Sequence, residues 1–290
     1  MAKGFIQEVG IGVESAWGTA VTPTIRVLVK DAGLGQKDEA ELTEIKANSN
    51  FPDPTTHELT KVSAGCSLTQ LVFPSNANTI IGWGNARDVN MELTPLTIVK
   101  NEGITDVGSQ YAGCKVASQS LKWSSDGLVE LSQEFTAKIR TKAVFSTSGL
   151  SFITGHPFKG CKVAVTVDGV TAVAVESGQI DWNNNLTPGP TGSDFSPTFL
   201  NEGHRNVSGN IKARFASDAW NALMRDATDG NLDAFTVVVT LTDPTATDPN
   251  NCVITIPSCR SGSAPLEVAD QGATVFQTIN FVSAGAPTVA

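Results

Sequence analysis

The chain has 290 residues, 40% of them hydrophobic and 17% charged, with a formal net charge of −9 and a pI near 4.8. That hydrophobic content supports one large or two mid-sized domains, and the charge is sparse beside the roughly 25% of an average soluble domain, as expected of a surface buried against partners. The acidic balance, shared by both halves, argues against tight nucleic-acid binding, which needs clustered Lys and Arg; Lys138, Arg140 and Lys142, and Lys212 with Arg214, alternate with other residues as on the polar face of a strand.

The N-terminal apolar stretch is broken by Gln7 and Glu8, so no export signal is expected, and no apolar run approaches the roughly 20 residues of a membrane helix. Cys66, Cys114, Cys161, Cys252 and Cys259 are then expected to be buried free thiols in a protein folded in a cytoplasm. Gln36 to His57 is polar and acidic, with Phe51-Pro52-Asp53-Pro54 inside it, and is expected to be a long irregular loop. Val62-Ser63-Ala64-Gly65 opens a strand, and a short helix from Ser75 carries Ile80 and Ile81. Leu121 and Trp123 lead through Ser125-Asp126-Gly127 into Leu128 to Leu131, a hairpin whose period of two continues through Phe135, Ala137 and Ile139.

The clearest hairpin runs from Lys162 to Glu176, with valines alternating on both sides of Asp168-Gly169, a pair that supplies the positive φ a two-residue turn requires. Trp182 to Asn206, rich in Asn, Pro and Gly and carrying Phe195 and Phe199, is a second expected loop. Val207-Ser208-Gly209 opens another strand, and Ser217 caps a helix with Trp220, Leu223 and Met224 on one face. Phe235 to Leu241, Val253 to Ile256 and Thr274 to Phe281 are the last predicted strands, with Ser261-Gly262-Ser263 as a turn.

Phe73 to Ile81 aligns with Phe215 to Leu223 without a gap, and the Val-Ser-Gly strands match just upstream. Each half reads as a long loop, a Val-Ser-Gly strand, a Ser-capped helix and a strand series, which predicts a tandem duplication with domains at 1–150 and 151–290.

Catalytic chemistry is not visible. Gly149-Leu150-Ser151 lacks the last glycine of a nucleophile elbow, no Cys-x-x-Cys occurs, and His57, His156 and His204 lie apart in loops. Gly33-Leu34-Gly35 precedes an acidic run, the wrong sign for phosphate. No enzyme activity, cofactor or metal is expected. The pentapeptide Gly-Cys-Lys-Val-Ala occurs at Gly113 and again at Gly160, read as shared usage at strand starts.

The segment Ile11-Gly12-Val13-Glu14-Ser15-Ala16-Trp17-Gly18-Thr19, continuing to Pro23, resembles the N-terminal signature of the tail tube (major tail) proteins of tailed bacteriophages: an apolar-Gly-x-Glu segment running into an aromatic-Gly-Thr step and a proline. The Val-Ser-Gly strand with its Ser-capped helix resembles the family pattern in both halves. The resemblance implies a mainly β fold of two tandem β-sandwich or half-barrel domains, each with a short flanking helix, closing into a ring-shaped β-barrel. It implies a partner set of copies of the chain itself, three per ring with pseudo-sixfold symmetry or alternatively six, stacked into a tube in the virion tail. A tape measure protein and a tail terminator are the other implied partners, and DNA passes through the lumen without specific binding. The acidic composition predicts a net negative lumen wall. Trp17, Pro23, Phe51, Phe195 and Phe199 are the expected subunit and ring interface residues, the two loops reaching to a neighbouring subunit. A tail terminator, a capsid decoration protein, or a carbohydrate-binding module stacking sugars on exposed Trp17, Trp123 and Trp182 are the competing readings.

Overall fold

The computed structural model describes residues 8–30, 34–45, 56–101, 108–143, 150, 153, 155–192, 195–214, 234–245, 251–263, 266–267 and 275–290. They form a mainly β, antiparallel structure. Its first half comprises β1 (Glu8–Val13), β2 (Ile25–Val27), β3 (Gly35–Gln36), β4 (Glu39–Ile45), β5 (Thr56–Leu71), α1 (Ala77–Asn85), β6 (Leu96–Asn101), β7 (Gly108–Ser124), β8 (Glu130–Ala137) and β9 (Ile139–Lys142). Its second half comprises β10 (Val163–Val167), β11 (Val170–Thr171), β12 (Val173–Asn183), β13 (Thr187–Pro188), β14 (Leu200–Asn201), β15 (Asn206–Arg214), β16 (Phe235–Leu241), β17 (Cys252–Ser263), β18 (Leu266–Glu267), β19 (Phe276–Ser283) and β20 (Thr288–Val289).

Alternation drives most of these strands. β8 and β16 each bury every second residue, Leu131 through Ala137 in one and Phe235 through Leu241 in the other. Asp168 and Gly169 take φ of 47° and 79°, closing β10 onto β11 as the two-residue turn predicts. The return run then departs from expectation. After a short stretch with Ala174 at φ 51°, β12 leaves β10 and inserts between β7 and β15. Ser261-Gly262-Ser263 is not a turn but the end of β17, and 39–45 is not irregular but a strand on β5. Glu39-Ala40-Glu41-Leu42 already alternates; its acidity hid the pattern.

Two long strands cross between sets of neighbours. The first part of β7 pairs with β6 and β9, and its second part with β8 and β12. The crossing is made at a β-bulge, where Leu96↔Cys114 and Ile98↔Tyr111 leave an extra residue on β7 and Gly113 takes φ 67°. β17 does the same. Phe235↔Cys259 and Val237↔Ile256 bracket its bulge, Ser258 takes φ 54°, and the strand passes from β16 to β19. The thiol of Cys114 lies 3.5 Å from the Tyr111 carbonyl and that of Cys259 3.2 Å from the Ile256 carbonyl, three residues back in each case.

The resemblance between halves extends to the pairing order. β1 lies on β6 as β10 lies on β16, and β5 takes β8 through eight uninterrupted pairs, Ala64↔Ala137 to Leu71↔Glu130. β15 takes β19 through eight more, Val207↔Ser283 to Arg214↔Phe276.

One α-helix is present among the described residues. It starts after Asn76 rather than Ser75, Asn76 Oδ1 accepting the Phe73 amide at 3.1 Å, and buries Ile80, Ile81 and Trp83. Its carbonyls are tied to the sheet by buried glutamines. Gln133 Nε2 donates to Ile80 O at 2.9 Å and Gln119 Nε2 to Ile81 O at 3.2 Å, while Gln70 Nε2 donates to Gln133 Oε1. The helix expected from Ser217 lies outside the described residues. Among the described residues the large antiparallel sheet is not a closed barrel. No helix among them is long and apolar enough to cross a membrane.

Candidate assembly surfaces

The N-terminal motif is a lock built around Glu14. This carboxylate is buried and accepts three hydrogen bonds: from Gly18 N at 2.8 Å, Thr97 Oγ1 at 2.7 Å and Gly113 N at 2.8 Å. Trp17 Nε1 donates to Gly113 O at 2.8 Å, and Lys138 Nζ stands 5.1 Å from the indole centroid. Both peptide groups of the β7 bulge are thus read by the Glu14–Trp17 segment. A Cβ at Gly113 would sit 2.9 Å from Trp17 Nε1, and one at Gly12 would sit 2.9 Å from Thr22 O, so both glycines permit close approach. Within the chain Trp17 is half-buried and Pro23 is buried. The spacing Gly-x-Glu does not reveal that two of the Glu14 partners lie 83 and 99 residues further along the chain.

The loop 184–205 carries Phe195 and Phe199. β13 and β14 pair within it, and its base is fastened to the first half of the chain. Buried Lys115 forms an ion pair of 2.7 Å with buried Glu202, whose carboxylate also accepts the Leu93 amide at 2.9 Å. Arg87 donates to Gly203 O, and Arg205 donates to the backbone and side-chain oxygens of Asn85. Burial, with Arg87 nearby, lowers the Arg205 pKa from its ordinary value. The tip is held too: Phe195, at φ 61°, accepts the Val62 amide at 3.0 Å. The described part is therefore not a free arm. What it leaves outward is two rings, Phe195 44% and Phe199 45% exposed, Phe199 lying over Gly189. Phe51 lies outside the described residues. Val89 and Met91, 97% and 66% exposed on the turn after α1, are further outward apolar groups that no periodicity flags.

The third surface is the polar face of the run β5-β8-β7-β12-β15, which joins both halves. β7 and β12 meet through seven pairs, Ser124↔Ser177 to Ser118↔Asn183. The face forms an open trough of about 920 Å³ floored by small polar groups such as Ser67, Thr69, Ser120, Ser132 and Ser208. Its charged side chains are three lysines and three acids. Lys30 pairs with Glu130 at 2.6 Å and Lys37 with Glu134 at 2.5 Å, and the Lys37 hydrogen bond lowers the Glu134 pKa from its ordinary value.

Trp123 and Trp182, expected as exposed sugar platforms, are buried under this face, so they offer no stacking surface. The cysteines are free; Cys66, Cys114, Cys252 and Cys259 are buried as expected, but Cys161 is exposed. His156 and His204 are exposed and separate, and no group of three metal-ligating side chains occurs among the described residues.

A family model described as phage tail tube protein matches residues 4–283. The chain belongs to that family. The family is one of structural tail components rather than catalysts, and the resemblance of the Glu14–Pro23 segment is thereby explained. No curated protein matches the chain. Among solved structures it is similar to one titled as the cryo-EM structure of the anti-feeding prophage cap, a tube-terminating cap. The TM-score is 0.41 at 13% identity, over 50% of this chain and 99% of that one.

Proposed function

We propose that this chain builds the tail tube as a duplicated subunit: 1–150 and 151–290 are tandem copies of one tube domain, three chains close a ring of six such domains, and stacked rings form the conduit through which DNA leaves the capsid. The observation that carries this is the recurrence of the pairing order, down to two runs of eight pairs and two bulges with a positive-φ residue before a cysteine. Membership of the tail tube family supports the tube itself.

In this reading the polar trough faces the channel. Three such faces, one per chain, make a wall of serine, threonine and asparagine that offers phosphate neither a cluster of cations nor an apolar surface. Two of its three lysines, Lys30 and Lys37, pair with Glu130 and Glu134 inside the trough, which lowers the number of cations left for phosphate. Buried edges favour the assembled state, because an open sheet edge is a standing aggregation hazard that ring closure removes. A tape measure protein within and a terminator at the end are the partners this role requires.

Negative-stain electron microscopy of the purified protein, averaged with symmetry left free, tests the proposal. Threefold rings of six similar lobes, alone or stacked, are the expected result. Rings of six chains, or particles that stay monomeric at every concentration, would overturn it.

A further inference from the structure

We infer that one copy joins the next by pairing β18 and the end of β17 with β3 of the neighbouring chain, in the register that β7 and β12 use inside a chain. The inference rests on the ring reading and adds the joint to it. Among the described strands β3 pairs only with β5, and β18 only with β19, so each has one side without a strand.

The internal repeat says what belongs there. Leu121↔Leu131 and Lys122↔Glu130 in the first half stand where Leu266↔Gln277 and Glu267↔Phe276 stand in the second, after matching bulges at Val116/Ser118 and Arg260/Ser263. The end of β7 therefore corresponds to the end of β17 plus β18. On the other side, Gly35↔Ser67, Gln36↔Cys66 and Glu39↔Ser63 correspond to Gln179↔Asn210, Ile180↔Gly209 and Asn183↔Asn206. The segment 35–39 therefore corresponds to the end of β12.

Inside the chain these two elements meet: Lys122↔Gln179, Leu121↔Ile180 and Ser118↔Asn183. Carried through the correspondence, the same joint between chains reads Glu267 opposite Gly35, Leu266 opposite Gln36 and Ser263 opposite Glu39. Such a contact is head-to-tail, each chain offering one edge and accepting the other, and it closes into a ring when the rotation per joint divides the circle. With intra-chain and inter-chain joints alike, a ring of three chains carries six equivalent joints. The sheet then continues around the ring without a break.

Directly opposed antiparallel residues lie about 4.5–5.5 Å apart at Cα, within reach of a disulfide. In a Cys66→Ala, Cys161→Ser background, which removes the thiol directly opposite Gln36 and the one exposed thiol among the described cysteines, Leu266→Cys and Gln36→Cys are made in separate chains, mixed, assembled and oxidised. The expected product is a covalent dimer in the mixture and none in either variant alone. Ser263→Cys with Glu39→Cys gives an independent second pair. Tubes in the micrographs with no mixed dimer from either pair overturn the joint and leave the tube reading intact. Mixed dimers without tubes support the joint and overturn the tube. Neither dimers nor tubes overturn both.

Discussion

At the scale of single residues, Glu14 shows how a short pattern acquires meaning. A carboxylate with four lone-pair sites satisfies three donors on three segments at once, fixing the chain's start to β6 and to the β7 bulge. Truncation strands those donors, and a buried unsatisfied group costs about 1–3 kcal/mol. Glu14→Ala is expected to destabilise the subunit by roughly 3 kcal/mol, and Glu14→Gln by less, since one amide oxygen still accepts. Urea unfolding of the unassembled subunit measures both; equal stability of Glu14→Ala and parent would refute the lock. Cys114 and Cys259 are the other instructive residues. Burial is the main cause that pushes the Cys114 thiol well up and that of Cys259 to about 11. They behave as small apolar groups at a bend. The repeated Gly-Cys-Lys-Val-Ala is not a repeat of structure: Gly113 sits in the bulge of β7, whereas 160–162 is a 3-10 turn leading into β10.

At the scale of elements, the β7–β12 seam decides whether the two halves share one sheet. Near one end of it Trp123 stands opposite Gly178, and a Cβ at position 178 would overlap the indole. The indole is buried and has little room to move. Gly178→Ala is expected to cost about 1–3 kcal/mol through overpacking. Trp123→Phe should recover part of that loss in the Gly178→Ala background while costing stability in the parent, a coupling that a double-mutant cycle in thermal or urea unfolding reads directly. Additive effects would mean that the seam is not packed as described. The hairpins at Asp168-Gly169 and Ser125 to Gly127 were legible because turn chemistry is local. The path of β12 was not: nothing in Val173 to Asn183 states whether its partner is the preceding strand or one fifty residues earlier.

For the whole molecule, the loop of Phe195 and Phe199 is held to its own chain at base and tip yet leaves both rings about half exposed. In a tube subunit those rings are where a neighbouring copy would gain most, since full burial of a phenylalanine contributes about 1.5–3 kcal/mol. Phe195→Ser with Phe199→Ser is expected to leave the unfolding midpoint nearly unchanged but to raise the protein concentration needed for tube formation at least several-fold, as followed by light scattering and microscopy. Assembly at the parent concentration would remove these residues from the interface.

The sequence by itself determined the β class, the hairpins, the absence of recognisable catalytic motifs and the family-like N-terminal segment, because alternation, turn residues and short motifs act within a few residues. It also carried the hint of an internal repeat in the blocks at Phe73 and Phe215. Only the tertiary structure decided which strands lie side by side, that acidic 39–45 is a strand, that Trp123 and Trp182 are buried, and that Glu14 serves β7. Those outcomes depend on backbone hydrogen bonds and packing between segments far apart in the chain, and such pairings leave no mark on either segment alone.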